Sequence, residues 1–363
     1  MSMRGFSVVS KSLGLGLLLI AAASAALLLS DLESRTHRKA AAARDTNRVL
    51  RVALVEPASI EPIKDGAAGF LAALAERGYQ DGKRIAVRHF NAEGDMSVLN
   101  AIAKDVTSSN YDLILSAGTV ALQAITNANR YATPPRIHVF GIVSDPYAAA
   151  NIDRNNHLNH PPYMTGLGSM PAVAEVFALL RQLRPEVKRV GLVWNPAESN
   201  SVSATNLARA ECAKLGITLV EGNAENSTSV GEAAAAVLSR GVDALWVSPD
   251  ITVITAVDVM IATAKQARVP VFTSIPGNAR KGALFDLGAD YIAIGRLTGD
   301  LAADVLDGRS PATIPVENVM PLRLEVNLLA LEGLRDPWQV PDAVKKQAEL
   351  LFDASGRHAK DKP

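Results

Sequence analysis

The chain has 363 residues, with 37 Lys+Arg balanced by 37 Asp+Glu, one Cys, 48% apolar residues and 5% aromatic ones. That length suits about two domains, and the apolar fraction is enough for a real core. Zero net charge excludes a general nucleic-acid binder, and a single Cys excludes an intrachain disulfide and any multi-cysteine zinc or iron–sulfur site.

Residues 1–30 hold Arg4 and Lys11 and no acid. Removing those two cations leaves 35 basic residues against 37 acidic ones, a net of −2. The uncharged run 13–29 follows Lys11 in the pattern of a secretory signal. Ala23-Ser24-Ala25 has the form of a cleavage site, yet Leu27-Leu28-Leu29 continues the apolar run beyond it. As a helix, 12–30 would be about 28 Å long, close to the ~30 Å hydrocarbon core of a bilayer. Residues 1–30 are therefore expected to be a signal peptide or an uncleaved anchor in the inner membrane, with 31–48 as a tether. No Cys follows the run, which excludes lipidation there.

From Val49 onward, β-branched runs alternate with helical patterns. Residues 51–55 read as a strand. Ile63, Ala67, Phe70, Leu71 and Leu74 recur at helical spacing, and Gly78 stops that helix. Strands follow at 84–90, 113–116 and 137–140, with helices between them. A polar break at 151–162 ends in Pro161-Pro162. The pattern restarts with a helix through Val173, Val176, Leu180 and Leu183, then strands at 189–193, 217–221, 242–247 and 269–272. Residues 282–287 and 318–326 are further strands, flanking a helix through Ile294, Leu297, Leu301 and Val305. Two βαβ runs with a break between them predict an α/β protein of two doubly wound, Rossmann-like lobes. Periodicity alone does not assign 282–326 to either lobe.

In such folds ligands bind beyond the carboxyl ends of the strands, where helix N-termini present free N–H groups. The strand ends carry small polar residues: Ser116 and Ala117-Gly118-Thr119, Ser144-Asp145-Pro146, Trp194 to Ser201, Ser248 to Thr252, and Thr273-Ser274. At any one of these ends taken singly, plain helix capping is the better account of the residues. Their recurrence in both lobes suits a cleft for a small polar or zwitterionic ligand. The candidate contacts are Glu56, Ser116, Gly118, Thr119, Asp145, Trp194, Asn195, Ser199, Asn200, Ser201, Asp250, Thr252, Ser274 and Asp286. Helix starts favour the anionic group of a ligand, and Asp145, Asp250 or Glu56 suit a cation. Trp194, Tyr147 and Tyr291 are the aromatic candidates for stacking.

Catalytic signatures are missing from the sequence: it has no G-x-S-x-G elbow, H-E-x-x-H, Walker loop or paired-cysteine motif. His157 and His160 lie among Asn residues and read as a solvated loop, and Cys212 reads as a buried structural thiol. No catalytic residue, metal or cofactor is expected.

These residues together resemble a known family, the type I periplasmic binding proteins, in the branch of ABC-transporter substrate-binding proteins that includes tryptophan/tyrosine-type solute binders. The resemblance runs from about Val49 to about Val326. It is carried by Val55-Glu56-Pro57, Gly66-Ala67-Ala68-Gly69-Phe70, Asn91-Ala92-Glu93-Gly94-Asp95 and Ser144-Asp145-Pro146. It continues through Val193-Trp194-Asn195-Pro196-Ala197-Glu198-Ser199-Asn200-Ser201 and Leu287-Gly288-Ala289-Asp290-Tyr291 with Gly295-Arg296-Leu297-Thr298-Gly299. It implies two lobes joined by a three-stranded hinge, lobe 1 being 49–145 plus 275–308 and lobe 2 being 163–274 plus 309–326, with 327–363 a C-terminal extension. It implies a cleft lined by Gly118-Thr119, Asp145, the Glu198–Ser201 helix start and the Asp250 region. Asp286 stands where relatives often carry Ser, and the break at 151–162 is longer than usual.

The expected function is that of a non-enzymatic, periplasmic or extracytoplasmic solute-binding component of an ABC importer. It would bind an amino acid or similar polar ligand by hinge closure and act with a permease and its ATPase, without nucleic acid. The alternatives are a membrane-anchored sensing module that signals to a partner protein and, with less support, an enzyme on a two-lobed α/β scaffold.

Overall fold

A computed structural model describes residues 48–360 of the chain. The signal or anchor and most of the tether expected at 1–48 lie outside the described residues. Among the described residues, no helix is long and apolar enough to cross a membrane.

The first run contains β1 (Leu50–Glu56), α1 (Glu61–Glu76), β2 (Ile85–Asn91), α2 (Met96–Ser108), β3 (Leu113–Ala117), α3 (Thr119–Asn129), β4 (His138–Val143), α4 (Pro146–Ala150) and β5 (Met164–Gly168). The second contains α5 (Val173–Leu183), β6 (Arg189–Trp194), α6 (Ser199–Leu215), β7 (Thr218–Asn223), α7 (Val230–Ser239), β8 (Ala244–Val247), α8 (Ile251–Thr255), α9 (Val257–Gln266), β9 (Val271–Thr273) and β10 (Phe285–Ala289). The chain then forms α10 (Tyr291–Leu306), β11 (Glu317–Asn318), β12 (Leu322–Asn327), α11 (Asp342–Gln347), β13 (Leu350–Asp353) and β14 (Gly356–Ala359). One sheet has six strands in the order β11-β5-β4-β3-β1-β2, and the other has eight in the order β14-β13-β12-β10-β9-β8-β6-β7.

Both sheets are covered on two faces, so their central strands are apolar throughout and not alternating. In β1, Val52 and Leu54 pack with Phe70 and Leu74 of α1 and Ile294 of α10. Ala53 and Val55 point the other way, onto Leu99 and Val106 of α2 and Ile125 of α3. In the second sheet, Trp246 and Phe272 face α5 and α6, while Leu245 and Val247 face α7 and α9. Cys212 is buried on the inner side of α6, and burial pushes its thiol up to about 12.

The chain passes between the sheets three times: at 169–172, at Asp290 and at 319–321. These crossings lie side by side. Val319 N–H donates to Gly168 O at 2.8 Å, and Asp290 N–H donates to Pro321 O at 2.8 Å. The lobe boundaries expected from the resemblance are corrected here. β5, placed in lobe 2, pairs in parallel with β4 of the first sheet. β10, placed in lobe 1, pairs with β9 and β12 of the second. Only the helical half of 275–308 returns to the first lobe. The sequence hid β5 because Met164–Gly168 carries two glycines and no β-branched run. A Cβ on Gly166 would come 2.3 Å from Phe140 O, so the close strand contact demands glycine.

The C-terminal extension is also revised. Trp338, Val340, Val344 and Ala348 are buried in the core of the second lobe. β13 pairs with β12, and β14 closes the hairpin at the sheet edge.

α10 reaches the first lobe through glycines. A Cβ on Gly295 would lie 2.2 Å from Gly66 O, one on Gly69 2.4 Å from Ile292 O, and one on Gly299 2.5 Å from Phe70 O. The backbones of α1 and α10 therefore touch directly, and no side chain fits between them. Gly295→Ala is expected to lower stability by about 2 kcal/mol through overpacking. Urea unfolding measures this, and an unchanged midpoint would contradict the contact.

Candidate functional site

Strands of both sheets end at a common cleft. Its cavity, ≈ 40 Å³, is bounded on the first-lobe side by Gly118 and Thr119 after β3, and by Ile142 and Ser144 at the end of β4. On the other side stand Asn200 of α6, Pro249 and Asp250 after β8, and Ser274 after β9. Ser169, Pro171 and Met320 of the crossings close the back, with Tyr291 at the start of α10. A wider opening of ≈ 540 Å³ shares Ile60, Pro62 and Ile254 with the cavity and leads outward between the lobes. A larger groove, ≈ 690 Å³, lies between α2 and α3 and holds none of the strand-end residues.

The lobes touch across the cleft. Ser203 Oγ of α6 donates to Asp145 Oδ2 at 3.2 Å, and Arg280 of the second lobe pairs with Glu61 at the start of α1.

Five of the expected ligand contacts meet at the cavity: Gly118, Thr119, Asn200, Asp250 and Ser274. Gly118 adopts φ +94° and has no side chain to cap α3, so the first amides of that helix keep no side-chain partner. Thr119 Oγ1 accepts from Ser144 N at 3.3 Å. Ser274 Oγ accepts from Trp246 Nε1 at 3.0 Å. Asp250 is fully buried; its Oδ1 caps α8 through Val253 N at 2.9 Å, and its Oδ2 accepts from Asn195 N at 2.7 Å and Ser201 Oγ at 2.5 Å. Burial, with the Glu198 carboxylate nearby, raises Asp250 above the ordinary carboxylate range.

The remaining expected contacts lie off the cavity, each for a local reason. Ser116 is buried in the sheet, 2.7 Å from His138 Nε2, and burial lowers that imidazole to about 3. Glu56 pairs with His89 at 3.3 Å. Asp145 caps α4 through Ala148 N and is held by Arg154 from the polar break. Trp194 packs in the second-lobe core with the Arg209 guanidinium 5.4 Å from its ring centroid. Asn195 Nδ2 donates to Thr252 Oγ1 at 2.9 Å, Thr252 Oγ1 donates to Glu198 Oε1 at 2.6 Å, and Ser201 serves Asp250. Ser199 begins α6 without lining the cavity. Tyr147 donates to Val316 O at 3.1 Å, so Tyr291 alone of the three stacking candidates borders the cavity.

Asp286 is likewise structural. Thr273 Oγ1 lies 2.7 Å from Asp286 Oδ1 and 2.8 Å from Ile275 O, while Ala279 N–H donates to Asp286 Oδ2 at 2.5 Å. One hydroxyl proton cannot serve both acceptors of Thr273. A proton on Asp286 completes the set, which agrees with burial pushing this carboxyl up to about 8.

Sequence reasoning misses Ile142 and Ser169 and leaves Ser144 and Glu198 out of the candidate contacts; Tyr291 enters it only as a stacking candidate. Ile142 has φ +59°, a strained value for a β-branched residue, and lies where the β4–β5 register slips. No local signal marks it, because the bulge arises from pairing with β5. Glu198 does carry a signal, being two residues before Asn200 at a helix start. Its carboxylate accepts from Ile251 N, Thr252 N and Asn200 Nδ2, tying the β6 and β8 ends together.

Comparison with known proteins places this geometry. Residues 51–350 match the family model described as ABC transporter substrate binding protein. A tyrosine-binding protein of Clostridioides difficile (strain R20291) is 28% identical over 282 residues, covering 77% of this chain and 79% of the relative. A crystal structure of a conserved domain protein from Vibrio cholerae superposes with a TM-score of 0.77 at 30% identity, over 83% of this chain and 99% of that one. The fold is also that of an ABC domain in complex with L-Trp from Streptococcus pneumonia (TM-score 0.77, 22% identity, 84% of this chain and 100% of that one).

The protonated Asp286 has a measurable consequence. Its folded value of about 8 exceeds the unfolded carboxylate value of about 3.9. The folded state therefore holds a proton that the unfolded chain has released, so its contribution to stability declines as pH rises through that interval. Asp286→Asn reproduces the protonated pattern, with Nδ2 facing Thr273 and Oδ1 facing Ala279. The variant is expected to fold and to flatten the fall in stability between about pH 4 and about pH 8. Chemical denaturation across that range is the measurement, and an unaltered slope would contradict the assignment.

Proposed function

Because the chain belongs to the ABC transporter substrate-binding protein family, we propose that it is the extracytoplasmic component of an importer, capturing an aromatic amino acid between its lobes. The observation that carries this reading is the composition of the cavity wall. Ile60, Ile63, Ile142, Ile254, Met320 and Tyr291 form an apolar surface beside the uncapped start of α3 and the hydroxyls of Thr119, Ser144 and Ser169. A carboxylate is favoured at a free helix N-terminus, and an aromatic side chain gains most from a wall of aliphatic groups and a tyrosine ring. The names of the relatives point the same way: one is a tyrosine-binding protein, and one structure holds L-Trp.

Capture proceeds by lobe closure. The ≈ 40 Å³ cavity has space for little more than a water or two, so a ligand enters when the lobes part. Ser203–Asp145 and Arg280–Glu61 then close on either side of it. A ligand that touches both lobes only when they are closed shifts the population toward that form. In this reading the closed form docks a permease served by an ATPase. The N-terminal segment 1–30 directs export, either cleaved or kept as an anchor.

Isothermal titration with L-tyrosine and L-tryptophan tests the proposal directly. Saturable binding and a raised melting temperature are expected, and no response to any amino acid would refute the ligand class. Tyr291→Ala is expected to weaken aromatic ligands by about fivefold, in keeping with the roughly 1 kcal/mol of an aromatic contact beyond its burial. Arg280→Ala should weaken binding only a few-fold, because the Glu61–Arg280 pair is solvent-exposed and exposed pairs contribute about 0.2–1 kcal/mol. Small-angle scattering on ligand addition reads closure itself.

A further inference from the structure

The second-lobe wall of the cleft holds an acceptor with nothing to accept from. Asn200 is 4% exposed and borders the cavity. Its Nδ2 donates to Glu198 Oε2 at 3.1 Å and to Pro249 O at 2.8 Å. A carbonyl never donates, and the Glu198 carboxylate, already accepting from Ile251 N, Thr252 N and Thr252 Oγ1, serves here only as an acceptor. The amide therefore cannot be turned round, and the atom left over must be the oxygen. Asn200 Oδ1 is buried and has no hydrogen-bond partner. Ser199 Oγ and Ser248 Oγ share that condition, but neither residue borders the cavity. A buried acceptor left unsatisfied costs about 1–3 kcal/mol, a cost that a ligand donor removes.

The charge around it points the same way. Glu198 and Asp250 are both buried and accept only from neutral donors: backbone N–H groups, hydroxyls and the Asn200 amide. Among the described residues neither is paired with a cation. Buried carboxylates normally face a positive group, so this wall favours a ligand donor that carries positive charge.

We propose that Asn200 Oδ1 receives the ammonium group of the bound amino acid, and that Glu198 is a positioning residue that keeps this oxygen turned into the cleft. The inference rests on the amino-acid reading above, which places the carboxylate at α3 and the ring against the apolar wall. It assigns discrimination between an amino acid and its deaminated analogue to a neutral amide. Of the acids expected to suit a cation, Asp145 is engaged by Arg154 and Ser203, Glu56 by His89, and Asp250 by Val253 N, Asn195 N and Ser201.

Paired ligands test it: L-tryptophan against indole-3-propionate, and L-tyrosine against 3-(4-hydroxyphenyl)propionate. Each pair differs only in the amine. The native protein is expected to prefer the amine-bearing member by about tenfold or more, the value of a charge-assisted hydrogen bond. Asn200→Leu should bring the ratio to within about twofold, the larger loss falling on the amine-bearing member of each pair. Asn200→Asp should keep or widen it. Glu198→Gln should narrow it in part, and a urea melt of each variant separates this from misfolding. A preference that survives in Asn200→Leu overturns the proposal and leaves the amino-acid reading standing, as does equal native binding of both members. If neither amino acid binds, that reading falls, and benzylamine against benzyl alcohol decides this one. An amine preference lost in Asn200→Leu upholds it; no preference, or no binding of either, overturns it.

Discussion

The direct backbone contact between α1 and α10 underlies the two-lobed arrangement. Gly69, Gly295 and Gly299 let the two helices approach until a single added Cβ would collide with a carbonyl. Without that contact, α10 would have only a small part of the first lobe to pack on. The strand immediately before it, β10, is locked into the second sheet between β9 and β12. One short piece of chain is thus committed to both lobes by two different forces, a strand ladder on one side and close helix packing on the other. Asp290 is the single residue left to bridge them, and its backbone is tied to the third crossing at Pro321. Among the described residues the two lobes are thus joined by three short segments, 169–172, 290 and 319–321.

The cleft follows from that arrangement. The carboxyl ends of parallel strands from both sheets meet at one cavity, but most of their polar groups are already occupied. Asp250 caps α8, Asp145 caps α4, Thr252 and Asn195 bond each other, and Glu198 ties the β6 end to the β8 end. These bonds satisfy groups that would be costly to bury alone. What remains open is small and specific: the first amides of α3, a few hydroxyls and one amide oxygen. In the proposed reading, recognition depends on neutral groups held by charged ones behind them, which is how a preorganised site discriminates without flexible ion pairs.

Much of this was legible in the residues. The βαβ alternation follows from hydrophobic period, and the helix stop at Gly78 and the turn at Gly118 follow from glycine's access to positive φ. Strand ends with short polar residues marked the end of each sheet that borders the cavity. They did not tell which of those residues faced the cavity. Ser116 and Gly118 lie two positions apart, yet one is sealed against His138 in the sheet and the other opens onto the cleft. Asp250 and Asp286 are both buried acids near strand ends, yet only the first borders the cavity. Capping and ligand binding draw on the same residue types, and partner geometry alone separates them.

The sequence by itself determined the fold class, the two sheets with their helices, and the strand ends that border the cavity, because these depend on periodicity and local backbone preference. Tertiary structure decided the rest. It assigned β5 and β10 to opposite sheets from those expected, because pairing partners lie far away in sequence. It folded 327–360 into the second core through Trp338 and the β13–β14 hairpin. It left Asn200 Oδ1 as the unsatisfied atom on the wall, because that follows from where Glu198 and Pro249 O lie in space, which no spacing along the chain records.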